Sequence, residues 1–154
     1  MKTQRRSVLK KLFASVMGVT GLSLVANAKT VEVAIEKEAG NFSYFQGQRL
    51  FAGHTKLGNT IYIAGKGWHS GNDIKVHTDE VIKALEKELI AAGSSMQKVL
   101  KVTVYLHDIA DYAAMNSVFL GRFGPNPPVR TCIAVAKGGV PGNSLVEMDA
   151  VAYI

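Results

Sequence analysis

The C-terminal end of the chain constrains the fold most, because it contains two segments in which apolar and polar side chains alternate. Residues 129–136 and 146–152 alternate with a period of two, which is typical of β-strands, and a Gly/Pro-rich connection over 138–143 joins them. Each predicted strand has one apolar face and one face that carries ionisable side chains. We therefore expect the ionisable faces to lie against solvent or a binding site. The ionisable residues are Arg130 and Cys132 in the first strand and Glu147 and Asp149 in the second.

The N-terminal segment resembles a twin-arginine export signal. Two adjacent arginines precede an apolar run over residues 12–25, and Ala-Asn-Ala at 26–28 matches the small-x-small pattern of a cleavage site. The run is shorter and less apolar than the roughly 20 residues that span a membrane. We expect residues 1–28 to be a cleaved signal peptide and residues 29–154 to form one domain. The mature protein is then periplasmic or otherwise exported, without a membrane anchor.

Removal of this signal changes what the charge of the protein implies. The whole chain has 18 basic and 12 acidic residues, and five of the basic residues but none of the acids lie in the first 28 positions. The mature chain therefore has 13 basic and 12 acidic residues, a net charge of +1. This near-neutral charge argues against nucleic acid or an anionic membrane as a partner. Cys132 is the single cysteine, which excludes an intrachain disulfide and a multi-cysteine metal site.

Hydrophobic periodicity predicts an α+β domain with the element order β-β-β-α-β-α-β-β. One helix is predicted to begin at Thr78 and end at Gly93, and a second to begin at Asp108 and run to about Gly121. Both helices are expected on one face of the sheet. The predicted strands cover residues 31–36, 49–57, 60–64, 99–106, 129–136 and 146–152, with a hairpin turn at Gly58-Asn59 and a loop around Gly40.

Several short segments resemble motifs of the Rid (YjgF-like) family. They are Leu57-Gly-Asn-Thr-Ile-Tyr-Ile-Ala-Gly65, Asp111-Tyr-Ala-Ala-Met-Asn116, Arg130-Thr-Cys-Ile133 and Val146-Glu-Met-Asp-Ala-Val-Ala152. The resemblance covers essentially the whole mature chain. It implies a chorismate-mutase-like sheet with two helices on one face, and a homotrimer with a barrel-like assembly and three clefts between neighbouring subunits. In such a trimer, the polar sheet face that carries Arg130 is expected to line a cleft.

The same resemblance implies hydrolysis of reactive 2-imino or 2-enamino acids to 2-oxo acids and ammonia. Arg130 suits a bidentate clamp on the substrate carboxylate, and Glu147 suits a group that activates water and passes a proton to the departing amine. Asn116, Gly65 and Cys132 are expected to complete the pocket through hydrogen bonds. No metal or organic cofactor is expected, because an imine is already electrophilic.

Family members commonly place a tyrosine hydroxyl in the pocket, and this chain offers two positions for it. A gapless alignment back from Gly65 puts Phe51 there, which has no hydroxyl. Residues 43–47, Ser-Tyr-Phe-Gln-Gly, resemble the family segment better and would supply Tyr44, but they require an insertion before the hairpin. Both alternatives stay open.

Other interpretations of the site residues remain. Arg130 and Glu147 form either a catalytic set or a structural ion pair, and Cys132 is expected to be a wall of the pocket rather than a nucleophile. The four histidines have no metal-ligand spacing and are expected to lie mostly at the surface. A carboxylate-binding module without turnover is the alternative function. Endoribonuclease activity ranks lower because of the near-neutral charge and the export signal.

Overall fold

The computed structural model describes residues 34–154, which form one mixed sheet of six strands with two α-helices. The strand order is β1-β2-β3-β6-β4-β5. Strands β4 and β5 pair in parallel, and the other neighbouring pairs are antiparallel. In the described residues, no helix has the length and apolar character needed to cross a membrane. The elements are β1 Glu38–Phe45, β2 Gln48–Leu57, β3 Thr60–Gly67, α1 Ile74–Ala91, β4 Val99–Leu106, α2 Tyr112–Phe119, β5 Val129–Ala134 and β6 Val146–Tyr153, with short 3-10 turns at Met96–Lys98, Ile109–Asp111 and Pro141–Asn143.

The α+β architecture predicted from the sequence is confirmed. Helix α1 packs on β3 and β6 and against α2. Strand β4 has the predicted bounds, and β2 and β3 form the predicted hairpin. Gly58 in the hairpin turn has a φ of 57°, which glycine adopts without steric cost.

The prediction for the first strand was wrong. Of the predicted residues 31–36, the first three lie outside the described residues and 34–36 have no regular structure. Strand β1 instead passes through Gly40, where a loop was expected. A Cβ atom at Gly40 would lie 2.5 Å from His54 Cε1 in β2, so the glycine permits a close approach within the sheet and does not mark a turn.

Helix α1 begins earlier than predicted. The carboxylate of Asp73 accepts hydrogen bonds from the backbone N–H groups of Lys75 at 2.7 Å and Val76 at 3.3 Å, so Asp73 is the N-cap. Thr78, the predicted cap, is buried within the helix, and its hydroxyl donates to the Ile74 carbonyl at 2.7 Å. A hydroxyl can serve either role, so the composition of the segment alone did not locate the start.

Helix α2 is shorter than predicted. The Asp108 carboxylate accepts a hydrogen bond from the Ala110 N–H at 2.9 Å, but this cap starts a 3-10 turn, and the α-helix begins only at Tyr112. Met115 is fully buried, whereas Leu120 is 83% exposed just beyond the helix.

The two faces of the sheet have different roles. The face covered by the helices, called the helix face below, carries the apolar core. The opposite face, called the outer face, carries half-exposed polar side chains at alternate positions of β4 and β6. The core residues from the sheet are Ile61, Ile63, Val102, Val104, Leu106, Val146, Met148, Ala150 and Ala152, and those from the helices are Val81, Ile82, Leu85, Leu89 and Met115.

Candidate functional site

Arg130 lies on the helix face of the sheet. In the β4–β5 ladder it pairs with Val102, and in the β4–β6 ladder Val102 pairs with Ala150. Val102 and Ala150 are both core residues, so the side chain of Arg130 points toward the helices and is half buried there.

The guanidinium of Arg130 rests against three side chains of α2. Its Cζ lies 4.6 Å from the centre of the Phe119 ring, and Nη2 donates to the hydroxyl of Tyr112 at 3.3 Å. Nη1 lies 3.9 Å from the sulfur of Met115. Among the described residues, Arg130 has no carboxylate partner within ion-pair distance. Because arginine has five N–H donors, most of them remain available to a ligand.

Glu147 lies on the outer face. It pairs with Tyr105 in β4 and Gly67 in β3, and its carboxylate lies directly over Gly65. A Cβ atom at Gly65 would overlap with Oε1 of Glu147, so this position must be glycine for the carboxylate to lie there. The carboxylate borders a recess of about 360 Å³ lined by Tyr105, Val135, Gly139, Val140, Pro141 and Glu147.

The ionisable faces predicted for the two strands are therefore not on one side of the sheet. On β5, Thr131 and Ile133 of the more apolar face are exposed, while Arg130 and Cys132 are half buried. β5 is an edge strand, and its apolar side chains face outward on the same face as Glu147. The two charges lie on opposite faces of one sheet, which excludes an ion pair between them within a subunit.

Cys132 and Asn116 lie on the Arg130 side. Cys132 pairs with Val104 and shares the helix face with Arg130. Burial raises the pKa of the Cys132 thiol, and the nearby positive charge of Arg130 only partly offsets this, so the thiol stays protonated. Asn116 is half buried next to Met115 on α2, one helical turn after Tyr112.

Phe51 lies in β2 opposite Ser43 of β1 and is 54% exposed. Thr55, four residues later, is on the outer face, because it pairs with Tyr62, which pairs with Val151 of β6. The alternation does not extend back to Phe51, since a Cβ atom at Gly53 would lie 2.6 Å from Oε1 of Glu88 on the helix side of the sheet.

Tyr44 lies in β1, close to the turn that joins it to β2. The ladder between β1 and β2 shifts register after Ser43, so that Tyr44 pairs with Arg49. The Arg49 guanidinium lies 4.0 Å from the centre of the ring of Phe42, two residues before Tyr44. Tyr44 is 63% exposed and Phe51 is 54% exposed, and both alternatives for the pocket position stay open.

A buried ionic network, missed at the sequence level, lies away from these residues. Glu88 is 8% exposed, and its carboxylate interacts with His54 Nδ1 at 2.6 Å, Lys66 Nζ at 2.9 Å and Asn41 Nδ2 at 2.9 Å. Burial alone would raise the pKa of Glu88, but the hydrogen bonds from His54, Lys66 and Asn41 outweigh it and hold the pKa below its ordinary value. The available signal was the helical spacing that puts Glu88 beside Leu85 on the apolar face of α1.

The histidines also differ from the expectation. His54 and His77 are buried, so the expectation that most of the histidines lie at the surface fails for these two. His77 is held between two backbone groups, because Leu145 N–H donates to Nδ1 at 3.1 Å and Nε2 lies 3.0 Å from the Gly71 carbonyl. His77 therefore ties together the two loops that precede α1 and β6. In the described residues, no cluster of metal-ligating side chains is present.

Relatives of the chain have the same fold. The sequence profile of the family described as Endoribonuclease L-PSP matches residues 44–154. A solved structure from Mycobacterium tuberculosis, described as a member of the highly conserved YjgF/YER057c/UK114 family, is similar with a TM-score of 0.67 and 27% identity, over 77% of this chain and 100% of that one. The crystal structure of RidA from an Antarctic Psychrobacter is similar with a TM-score of 0.63 and 29% identity, over 68% of this chain and 89% of that one.

The curated relatives agree with the structural ones. A RutC family protein of Pyrococcus abyssi is 40% identical over 105 residues, which are 64% of this chain and 81% of the relative. Protein HMF1 of Saccharomyces cerevisiae is 38% identical over 103 residues, 63% of this chain and 78% of the relative. The protein therefore belongs to the Endoribonuclease L-PSP family, the family of the YjgF- and RutC-type proteins.

Proposed function

We propose that this protein hydrolyses 2-imino or 2-enamino acids to 2-oxo acids and ammonia, in a cleft between two subunits of a homotrimer. The observation that supports the proposal most is that Arg130 is half buried and lacks a carboxylate partner. Its guanidinium is half buried against aromatic side chains, and its donors are not taken up by any carboxylate in the described chain. A buried charge normally has a counter-charge, and a substrate carboxylate supplies one with matching geometry.

The placement of the two charges explains why the site needs a second subunit. Arg130 and Glu147 lie on opposite faces of the sheet, so one subunit cannot present both to one ligand. Trimeric assembly is typical of the family, and in a closed ring the helix face of one edge strand can meet the outer face of the next subunit. Each cleft would then combine Arg130 of one subunit with Glu147 of its neighbour.

In such a cleft the chain's own groups can carry out the reaction without a cofactor. Arg130 holds the substrate carboxylate, which fixes the adjacent imine carbon. Glu147 accepts a proton from a water molecule that adds to this carbon and returns the proton to the nitrogen, which gives a carbinolamine. Glu147 then takes the proton of the new hydroxyl and delivers it to the amine nitrogen, so that the carbon–nitrogen bond breaks, ammonia leaves, and the carbon keeps the water oxygen as the 2-oxo group. The recess beside Glu147 provides room for the substrate side chain, and its Val135, Val140 and Pro141 make it partly apolar.

Mixing two inactive variants tests both the activity and the two-subunit site. A 2-imino acid is generated in situ by an amino-acid oxidase, and formation of the 2-oxo acid is followed with and without the protein. Arg130→Ala and Glu147→Gln are each expected to lose most of the rate. Trimers reassembled from a 1:1 mixture should regain about a quarter of the wild-type rate, because random assembly joins the two intact residues in about that share of clefts.

A mixture that stays as inactive as its parent variants would contradict a site shared between subunits. A wild-type protein that does not accelerate the reaction, with short, branched or aromatic imino acids, would leave the carboxylate-binding module as the better function. The endoribonuclease activity in the family description is tested in the same preparation with a single-stranded RNA substrate.

We also propose that the protein works outside the cytoplasm. The support is the order of arginine pair, apolar run and Ala-Asn-Ala in residues 1–28, which lie outside the described residues. Mass spectrometry of the native protein should find an N-terminus near Lys29. Replacing both Arg5 and Arg6 with lysine should leave full-length protein in the cytosol, and unchanged export in that variant would contradict the proposal.

A further inference from the structure

We propose that the hydroxyl of Tyr112 is a further ligand-binding group of the Arg130 site and donates a hydrogen bond to the carboxylate of the bound ligand. The inference rests on the proposed carboxylate site at Arg130. It assigns a second, neutral donor to that site, on a helix rather than on the sheet.

The contact with Arg130 fixes the role of the hydroxyl. The Tyr112 oxygen lies 3.3 Å from Nη2 of Arg130, and a guanidinium can only donate, so the oxygen is the acceptor. The hydroxyl hydrogen is therefore free to point elsewhere, and Tyr112 donates to no other described residue. The side chain is 42% exposed, so a ligand can reach this hydrogen.

Tyr105 shows the contrasting case on the other face of the sheet. Its hydroxyl donates to Oδ2 of Asp149 at 3.0 Å, and this hydrogen bond raises the pKa of Tyr105 because the phenolate would repel the carboxylate. The hydrogen of Tyr105 is thus already used within the subunit. The hydrogen of Tyr112 is not.

The position of Tyr112 suits a carboxylate bound to Arg130. Nη2 carries two hydrogens, so one carboxylate oxygen can accept the hydrogen that does not point at Tyr112, and the second oxygen of the same carboxylate then lies on the Tyr112 side, where the hydroxyl can donate to it. Asn116 follows one helical turn later on the same side of α2, with Met115 packed beneath the guanidinium between them. Tyr112 and Arg130 together then present one neutral and several charged donors to a single carboxylate.

The test compares two tyrosines in similar surroundings. Tyr112→Phe removes only the hydroxyl and keeps the ring, whose centre lies 5.7 Å from the Arg130 Cζ. Tyr153→Phe is the matched control, because Tyr153 is 43% exposed and has Lys98 Nζ 5.8 Å from its ring centre, but lies away from Arg130. Pyruvate is the probe, and its dissociation constant is measured by calorimetry with wild type, both variants and Arg130→Ala.

Tyr112→Phe should weaken pyruvate binding roughly tenfold, the size expected for loss of one hydrogen bond to a charged group. Tyr153→Phe should bind as wild type does. Equal affinity of wild type and Tyr112→Phe, or equal weakening in both phenylalanine variants, would overturn the role of Tyr112. Arg130→Ala separates the two levels of the argument: if it abolishes binding while Tyr112→Phe has no effect, only the Tyr112 role fails, and if it binds normally, the carboxylate site of the proposed function fails too.

Discussion

Glu88 and Arg130 are both charged groups packed between the sheet and the helices, and the chain compensates them in opposite ways. Glu88 receives hydrogen bonds or ion pairs from three side chains, and Gly53 makes room for its carboxylate, because a Cβ there would lie 2.6 Å from Oε1. The guanidinium of Arg130 contacts the Tyr112 hydroxyl, the Phe119 ring and the Met115 sulfur, but no carboxylate of the described residues.

The difference separates a structural charge from a functional one. A fully paired buried charge adds little when compared with an apolar residue, but removing one partner leaves the others buried without compensation. A half-buried charge without a counter-charge costs free energy in the empty site and recovers it when a ligand binds. Glu88 therefore holds β1, β2, β3 and α1 together, whereas Arg130 is held ready for a carboxylate.

The largest loss of stability should come from removing the carboxylate of Glu88. Glu88→Ala leaves Lys66 and His54 without their carboxylate, and we expect the free energy of unfolding to fall by about 3–5 kcal/mol. Urea denaturation at pH 7 and a fixed protein concentration measures it. Glu86→Ala is the control, because Glu86 lies on the exposed side of the same helix. Equal losses in the two variants would show that the network contributes nothing beyond an ordinary surface carboxylate.

The same network also sets a pH dependence. The folded-state pKa of Glu88 is lowered from its ordinary value of 4.5, so its contribution to stability is fully present above that pH and is lost as pH falls through the lowered value. The stability of wild type should therefore fall more steeply below about pH 4.5 than that of Glu88→Gln, which has no group to titrate at this position. Parallel curves for the two proteins in acid would contradict the assignment.

The contrast between Glu88 and Arg130 also shows which features of the fold cannot be predicted from the sequence. The alternation of 129–136 correctly groups Arg130 with Cys132, but a period of two does not state which face of an edge strand points to the core. That direction followed only from the parallel ladder with β4, where Arg130 meets Val102. The hairpin at Gly58 and the bounds of β4 were predictable because local turn chemistry and a continuous apolar run determine them.

The buried network was not predictable for a related reason. Helical spacing puts Glu88 on the apolar side of α1, but its partners come from three strands that are 22 to 47 residues away in sequence. A glycine such as Gly40 is read as a turn when the side chain that packs against it is unknown. Tertiary contacts of this kind decide both the burial of His54 and the course of β1.

The smallest loss of stability should come from removing the charge of Arg130. Arg130→Met keeps an apolar stem against Phe119 and Met115 but removes the charge, and no ion pair with a described residue is broken. The loss of the cation–π contact, about 0.5–1 kcal/mol, is offset by relief of the uncompensated charge. The free energy of unfolding should therefore stay within about 1 kcal/mol of wild type, while carboxylate binding is lost.

Lys66→Met is the same kind of substitution in the Glu88 network. It should be clearly less stable than wild type, because it removes the lysine that forms an ion pair with the Glu88 carboxylate. A loss at Arg130 as large as that at Lys66 would mean that Arg130 has a counter-charge in the folded protein and is not held ready for a ligand.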